Sequence, residues 1–293
     1  MTSARVATAA VLIPIVVAAA WWGGTGAVAA LTAVVSLLGL MEFFSLGERV
    51  GFHGYRLWTA FCAAGVLFQQ WAATGAQSWT ISRNLRLTRA SAAPELPLEL
   101  VLLIFVLGAA IIVLFSRRPM NEALGGIGIS AAGLLFVVLP LSAVIRLEGV
   151  AYIGRRLLLF TLLFVWVGDT LAYFVGRKFG RMRMAPLVSP QKSWEGAAAN
   201  LLGSMAVGIF LAPWLNLDVR QAVILAGLGN IAGQAGDLLE SAYKRSAGVK
   251  DSGSLLPGHG GVLDRVDALI LAAPVVWYYF QIVLTSRGNA GIP

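Results

Sequence analysis

The sequence predicts an all-α fold, a polytopic transmembrane helical bundle of about nine spans. Hydrophobic residues make up 58% of the chain, charged residues only 12%, and the mean hydropathy is +0.79. A soluble domain of 293 residues could not bury that much apolar surface. Apolar runs long enough to cross about 30 Å of hydrocarbon recur along the whole chain. We therefore expect the chain to fold within a bilayer.

The spans follow one another as apolar windows bounded by charge, glycine or proline. The predicted windows are 6–22, 27–46, 56–73, 97–115, 124–145, 157–175, 196–213, 220–243 and 265–285. The glycine-rich fifth window indicates either close helix packing or a tilted, partly interfacial segment. The first window is one span among many, so we expect no cleaved targeting segment. The polar stretch 74–96 is expected to be an external loop.

The basic residues orient this bundle. With nine spans, the N-terminus and the even-numbered loops share one side, and that side holds the larger share of Lys and Arg. The positive-inside rule assigns it to the cytoplasm. Topology thus accounts for the net charge of +8, and we expect no nucleic-acid partner. Cys62 is the single cysteine, which excludes an internal disulfide and a cysteine-ligated metal site.

The two halves of the chain differ in their polar residues. Residues 1–150 carry scattered charges and are interpreted as N-terminal transmembrane helices that form a scaffold and a lipid-binding region. Residues 151–293 are interpreted as a catalytic transmembrane region with cytoplasmic loops, because Asp, Lys, Arg, Gly and His become dense from Asp169 onward. The sequence shows no clear internal repeat, which disfavours a transporter built from inverted repeats.

The eighth predicted span carries a polar seam. Its members are Asn230, Gln234, Asp237, Glu240, Ser241, Lys244 and Arg245. Residues at i, i+3, i+4, i+7 and i+8 share one helical face. A polar seam on a membrane helix must face protein or water, because lipid cannot satisfy it.

A glycine-rich loop follows this span. Glycine backbones can approach a ligand closely and present N–H groups to phosphate oxygens; these glycines are Gly253, Gly258, Gly260 and Gly261. The surrounding cations are Lys244, Arg245, Lys250 and Arg265. Asp264 and Asp267 open the last span, where carboxylates stabilise a helix N-terminus or hold Mg²⁺ with water and phosphate. The alternative is a purely structural set of a helix ion pair, a cap and turn glycines.

Three further positions carry expectations. Asp169 lies inside the sixth span, four residues before Tyr173, and an acid within an apolar run is a functional candidate that completes the site. His259 lies between two glycines and is interpreted as a ligand contact. Glu42, in the second span, has no comparable neighbours, and its role is left open between structural and interfacial.

The segment 237–267 closely resembles the signature of the phosphatidate cytidylyltransferase family. The matching positions are Ser241, Lys244, Arg245, Lys250, Asp251, His259, Gly260, Gly261, Asp264, Arg265 and Asp267. A second block, 189–196, resembles the family's Ser-Pro-Lys-Lys-Thr-Trp-Glu-Gly and departs from it at Gln191 and Ser193. Ser189 and Lys192 match and are carried over, whereas Gln191 is assigned no role.

The resemblance implies an enzyme of phospholipid biosynthesis that transfers CMP from CTP to phosphatidate, giving CDP-diacylglycerol and pyrophosphate with Mg²⁺. It implies Asp237 and Asp264 as metal ligands and as catalytic residues together with Lys244 and Arg265. The substrate-binding residues are then Ser189, Lys192, Ser241, Arg245, Lys250, His259, Gly260 and Gly261, with Asp169, Asp251 and Asp267 ranked lower.

The expected location is the bacterial inner (cell) membrane, as a multi-pass protein whose active site faces the cytoplasm. The partners are then CTP, phosphatidate and the lipid of the membrane, and a homodimer is an open alternative to a monomer. Two other functions share some of these features. A CTP-dependent kinase of a polyprenol-like alcohol also needs cations and a metal, and a transporter of an acidic solute would use the intramembrane acids without consuming CTP.

Overall fold

The computed structural model describes residues 2–75, 96–116, 119–255, 258 and 260–284. The longer helices are α1 (Thr2–Trp22), α2 (Gly24–Arg49), α3 (Arg56–Gly75), α4 (Leu98–Phe115), α8 (Gly154–Phe179), α9 (Trp194–Leu215), α10 (Val219–Ser246) and α11 (Leu263–Tyr279). A broken helix between α4 and α8 contains α5 (Ala123–Ala132), α6 (Leu139–Leu141) and α7 (Ala143–Glu148). A π-helical turn, Phe280–Leu284, follows α11. Most of the predicted external loop 74–96 lies outside the described residues.

Each of the nine predicted windows overlaps a helix. Within the described part of the chain, six helical segments are long and apolar enough to cross a membrane: Gly24–Arg49, Leu98–Phe115, Met120–Glu148, Gly154–Phe179, Trp194–Leu215 and Val219–Ser246. Within α1, Ala10–Trp22 forms a shorter apolar helical segment. The structure therefore confirms the all-α, polytopic class, but it does not confirm the count of nine spans.

The broken helix at Met120–Glu148 is the fifth predicted window. It starts with a 3-10 turn, Met120–Glu122, and passes through a π-helical turn, Gly133–Val138, just before Pro140. Proline cannot donate the helical hydrogen bond, which accounts for an irregularity at this point. A Cβ atom added at Gly133 would lie 2.6 Å from Leu40 Cδ1, so α2 passes this helix at very close range. Of the two alternatives, close packing is the one seen at Gly133.

The chain divides into two compact units. Unit 1 comprises Met1–Gly154 and Ser252–Leu263, and unit 2 comprises Arg155–Asp251 and Asp264–Pro293. The glycine-rich segment Ser252–Leu263, which the sequence division placed in the C-terminal region, thus groups with the N-terminal helices. The apolar core of unit 1 is built by α2, α3, α4 and the broken helix, and includes Leu40, Phe44, Val66, Phe105, Leu134, Val138 and Ile145.

Unit 2 contains a short β-hairpin that the sequence pattern did not predict. Strands β1 (Arg183–Ala185) and β2 (Ser189–Ser193) pair antiparallel, with Arg183 opposite Ser193 and an irregular register. Two strands this short are too brief to produce a hydrophobic period. The Ser193 hydroxyl accepts the Gly196 N–H at 3.2 Å and so caps α9, which begins directly after β2. This junction fixes the hairpin to the start of a membrane helix.

Helices α9 and α10 form a helical hairpin in unit 2. Helix α9 ends at Leu215. The next residue, Asn216, has a left-handed conformation (φ 53°) that terminates the helix. Asp218 then caps α10 by accepting the Arg220 N–H at 2.9 Å. The short connection makes the two helices antiparallel neighbours, and so the polar seam of α10 is brought beside α9.

Candidate active site

A cavity of about 730 Å³ lies in unit 2 between α8, the β-hairpin, α9 and α10. Apolar side chains of Ala172, Ala197 and Leu238 line part of it. Its polar and charged lining consists of Asp169, Tyr173, Arg177, Arg183, Ser189, Gln191, Lys192, Ser193, Asn200, Gln234 and Asp237. A concave site with an apolar wall and a few convergent charges suits an amphiphilic ligand with an anionic head.

Lys192 and Asp237 form the central ion pair of this cavity. Lys192 Nζ lies 2.5 Å from Asp237 Oδ2, which joins the β-hairpin to α10. The Ser241 hydroxyl, one turn further along α10, donates to Asp237 Oδ1 at 3.5 Å. The side chains of Lys192 and Asp237 keep 28% and 30% of their surface exposed, so a ligand in the cavity can reach both. Two residues predicted separately from distant motifs are therefore in direct contact.

A ladder of amide and carboxylate side chains, joined by hydrogen bonds, extends from the same cavity. Asn200 donates to Asp169 Oδ1 at 3.1 Å, and Asn230 donates to Asn200 Oδ1 at 2.5 Å and to Ser204 Oγ at 2.8 Å. Gln234 donates to Asn230 Oδ1 at 2.7 Å. Polar groups on membrane helices are stable only when they have such partners. The ladder connects the Asp169 carboxylate on α8 to the polar seam of α10.

Lys244 joins a second set of acids. Its ammonium lies 2.6 Å from Asp264 Oδ1 and also forms an ion pair with Glu240, one turn earlier on α10. The Glu240 side chain is fully buried and the Asp264 side chain is 6% exposed. Glu240 Oε1 has no hydrogen-bond partner among the described residues. One lysine thus binds two buried carboxylates.

The acids of unit 2 suit a hard divalent cation. Asp237 and Asp264 each use one carboxylate oxygen to bind a lysine, and Asp267 interacts electrostatically with Asp237, Glu240 and Asp169. Within the described residues, no three His, Cys, Asp or Glu side chains converge as a ready set of metal ligands. Mg²⁺ commonly takes only one or two carboxylates and completes its shell with water and substrate phosphates. The donors present therefore fit Mg²⁺ that arrives with a phosphate-bearing substrate.

Arg245 has a structural role that its motif position did not reveal. Its guanidinium donates to the Val188 carbonyl at 3.1 Å and to the Val249 carbonyl at 2.9 Å. It thereby ties the turn of the β-hairpin to the end of α10. Lys250, Asp251 and Arg265 are exposed on the surface of the protein.

The glycine-rich segment lies in unit 1. Gly258 and Gly260 have positive φ angles of 74° and 79°, a conformation that side-chain-bearing residues rarely adopt. Gly261 is buried beside Glu42. His259, predicted as a ligand contact, lies outside the described residues.

Sequence reasoning missed several cavity residues. Asn200 was not singled out although it is a polar residue within an apolar window, a signal that had drawn attention to Asp169. Gln191, which was assigned no role, lines the cavity, as do Arg177 in the last turn of α8 and Arg183 of the hairpin. Glu42, like Asp169, is an acid within an apolar window. Its hydrogen-bond partners lie more than two hundred residues away, so no local sequence pattern indicates them.

Comparison with known proteins gives a consistent result. A phosphatidate cytidylyltransferase of Haemophilus influenzae is 42% identical over 139 residues, which are 45% of this chain and 48% of that protein. One of Brucella abortus is 41% identical over 155 residues, or 53% and 57% of the two chains. One of Staphylococcus haemolyticus is 41% identical over 125 residues, or 42% and 48%. The chain aligns with about half the length of these curated relatives.

The family comparison covers far more of the sequence. The model of the cytidylyltransferase family matches residues 3–283, so the match includes both blocks that suggested the resemblance and the N-terminal helices. The chain belongs to the cytidylyltransferase family.

Proposed function

We propose that the protein is a phosphatidate cytidylyltransferase, which transfers CMP from CTP to phosphatidate. The observation that carries the proposal is the Lys192–Asp237 pair inside the unit 2 cavity. It brings together one residue from each of the two family-like blocks, between helices apolar enough to lie in a membrane. The curated relatives named phosphatidate cytidylyltransferase support the same substrates.

The proposed reaction is an in-line displacement. An oxygen of the phosphatidate phosphate forms a bond to the α-phosphorus of CTP, and the bond from that phosphorus to the β-phosphate bridging oxygen breaks, which releases pyrophosphate. The nucleophile is an ionised phosphate monoester, so no protein base has to remove a proton. The protein then acts by positioning the phosphates and screening their charge.

The basic residues of this chain are proposed to have different roles in phosphate binding, according to where each residue lies. Lys192 lies in the cavity and is proposed to screen the reacting phosphates there. Lys244 holds Glu240 and Asp264 in place and is proposed to contribute its remaining donor to a phosphate. Arg265 and Lys250, both exposed, are proposed to bind the triphosphate, and Arg245 to fix the hairpin that carries Lys192.

Asp237 and Asp264 are the residues we propose to hold Mg²⁺, with Asp169, Asp251 and Asp267 as further acids. Bound Mg²⁺ would neutralise phosphate charge and act as a Lewis acid. This assignment is supported by the carboxylate donors described above, which bind Lys192 and Lys244 through one oxygen each.

We further propose nine spans, a bacterial inner-membrane location and a cytoplasmic active site. All nine apolar windows overlap helices, and the three segments outside the group of six are α1, α3 and α11. Helix α11 has 17 residues and is extended by the π-helical turn to Leu284, which lengthens the segment. The positive-inside bias supports the orientation, and CTP is a cytosolic solute.

The test is incubation of the purified protein with CTP, Mg²⁺ and phosphatidate, with pyrophosphate and lipid products measured together. We expect equal amounts of pyrophosphate and CDP-diacylglycerol. Release of CDP with a phosphorylated alcohol, when a polyprenol is supplied, would instead identify a lipid kinase. If CTP is not consumed under either condition, the proposed function is wrong.

A further inference from the structure

Glu42 links the second predicted span to the glycine-rich segment of unit 1. Its carboxylate accepts the Ser252 hydroxyl at 2.8 Å and the backbone N–H groups of Val262 and Leu263 at 2.9 Å each. These partners lie 210 to 221 residues further along the chain. An acid on an apolar helix is costly unless its oxygens are satisfied. Both ends of the segment 252–263 therefore meet on one side chain.

The hydrogen bonds use both carboxylate oxygens. Oε1 accepts from Val262, and Oε2 accepts from Leu263 and Ser252. Leu263 is the first residue of α11, where backbone N–H groups lack helical partners and favour a negative charge. A glutamine could not reproduce this arrangement, because its NH₂ group would face an N–H or O–H donor.

Two glycines of the segment are packed against the same carboxylate. A Cβ atom added at Gly253 would lie 2.6 Å from Glu42 Oε1, and one at Gly261 would lie 2.3 Å from Oε2. Gly260, beside Gly261, has a positive φ of 79°. Glycine at positions 253 and 261 thus allows the backbone to close around Glu42.

We propose that Glu42 is a positioning residue that holds Gly260 and Gly261 in the conformation that binds the phosphates of CTP. The inference rests on the proposed function, because it assigns a substrate to the segment. Gly260 and Gly261 match the family-like pattern, whereas Glu42 belongs to neither of its two blocks. Glu42 of α2 then affects nucleotide binding through the glycines that it holds.

The first test compares Glu42→Gln with Glu48→Gln. Glu48 lies on the same helix, but its side chain is 39% exposed and it binds Arg56 at 2.7 Å. Loss of a hydrogen bond to a charged group changes an equilibrium by about tenfold or more. We expect Glu42→Gln to lower kcat/KM for CTP by about that factor, with KM for phosphatidate and the Tm in detergent near wild-type values. Glu48→Gln should match the wild type.

Two further variants separate positioning from folding. Glu42→Asp keeps the charge on a shorter stem and should recover part of the CTP kinetics. Gly261→Ala, which places a methyl group against Glu42, should reproduce the CTP defect, whereas Gly128→Ala should not, because nothing lies within 4 Å of its Cβ position. If Glu42→Gln leaves the CTP kinetics unchanged, or moves both substrate KM values and the Tm together, the positioning role is wrong.

A labelling experiment tests the same contact without activity. Val262 is 7% exposed, so Val262→Cys in a Cys62→Ala background should react slowly with a maleimide. Adding Glu42→Gln should release the segment and speed the labelling severalfold, and unchanged labelling would contradict the inference. If the wild type fails to make CDP-diacylglycerol while labelling still accelerates, the proposed function fails but the Glu42 contact stands.

Discussion

The lysines and carboxylates of unit 2 depend on one another. Lys192 is matched to Asp237, and Lys244 to both Glu240 and Asp264. Withdrawing charges from water is expensive, and the cost is recovered only when each charge keeps its partner. The effect of a single substitution at these positions therefore depends on which charged side chain is left without its partner.

Replacing either proposed metal ligand should abolish turnover. Asp237→Asn and Asp264→Asn each keep the shape of the side chain but remove one negative charge, so we expect a loss of activity of about a hundredfold or more and a higher Mg²⁺ requirement. The measurement is activity against Mg²⁺ concentration. Asp218→Asn is the control, because asparagine also caps a helix well and should preserve activity. Normal metal dependence in both variants would place Mg²⁺ elsewhere.

Lys244→Met should destabilise the protein far more than Lys178→Met. The first leaves the buried Glu240 and Asp264 carboxylates without their cation, a change that costs about 3–5 kcal/mol in comparable buried pairs. Lys178 is exposed, and its replacement should have little effect. Thermal unfolding in detergent measures both. Equal Tm values for the two variants would show that Lys244 is not needed to hold the acids.

Among the elements, the β-hairpin decides how Lys192 reaches the cavity. It is fixed to α9 by the Ser193 cap and to the end of α10 by Arg245. Helix α10 in turn presents Gln234 and Asp237 to the same cavity through its helical period, and Asn230 accepts a hydrogen bond from Gln234. The β-hairpin, which is held by contacts with α9 and α10, thus forms part of the cavity wall.

Arg245→Ala should loosen the hairpin. The variant loses the hydrogen bond to the Val188 carbonyl in the hairpin turn, so we expect faster tryptic cleavage after Arg183 and a loss of activity of about tenfold. Arg245→Lys should recover only part of the activity, since an ammonium group cannot reproduce the planar guanidinium group with its two donating nitrogens. Arg220→Ala is the control, because that side chain is exposed at the other end of α10. Weaker CTP binding without faster cleavage would instead indicate direct phosphate contact.

For the whole molecule, the orientation of the membrane helices determines whether the proposed substrate, CTP, can reach the site. The proposed nine spans with a cytoplasmic N-terminus would place the hairpin loop on the cytoplasmic side and the α9–α10 connection on the outer side. An error of one span would exchange these two loops. Their sidedness is therefore the sharpest test of the span count.

Single-cysteine labelling distinguishes the two orientations. In a Cys62→Ala background, Leu187→Cys should react with an impermeant maleimide only after the cells are permeabilised, because the 92% exposed Leu187 lies in the hairpin loop. Val219→Cys, at the start of α10 and 46% exposed, should react in intact cells. The opposite pattern would overturn the cytoplasmic assignment.

Features that depend on local pattern can be predicted from the amino-acid sequence alone. Hydropathy located every helical window, and helical spacing placed Asp237, Ser241 and Lys244 on one face of α10, because both signals repeat within a few residues. The ordered motifs were enough to suggest the family, which the match over residues 3–283 confirms. The number of spans stayed open, since a short or partly polar helix has no decisive hydropathy signal.

The contacts between groups that are distant in sequence are seen only in the folded chain. The Lys192–Asp237 pair, the Lys244–Asp264 pair and the capture of segment 252–263 by Glu42 join residues from separate elements. Such contacts arise from the packing of helices and turns, which leaves no period in the sequence. Glu42 shows the difference most clearly. As a lone acid in an apolar window it had no readable role, and its three hydrogen bonds exist only because the chain returns to it after more than two hundred residues.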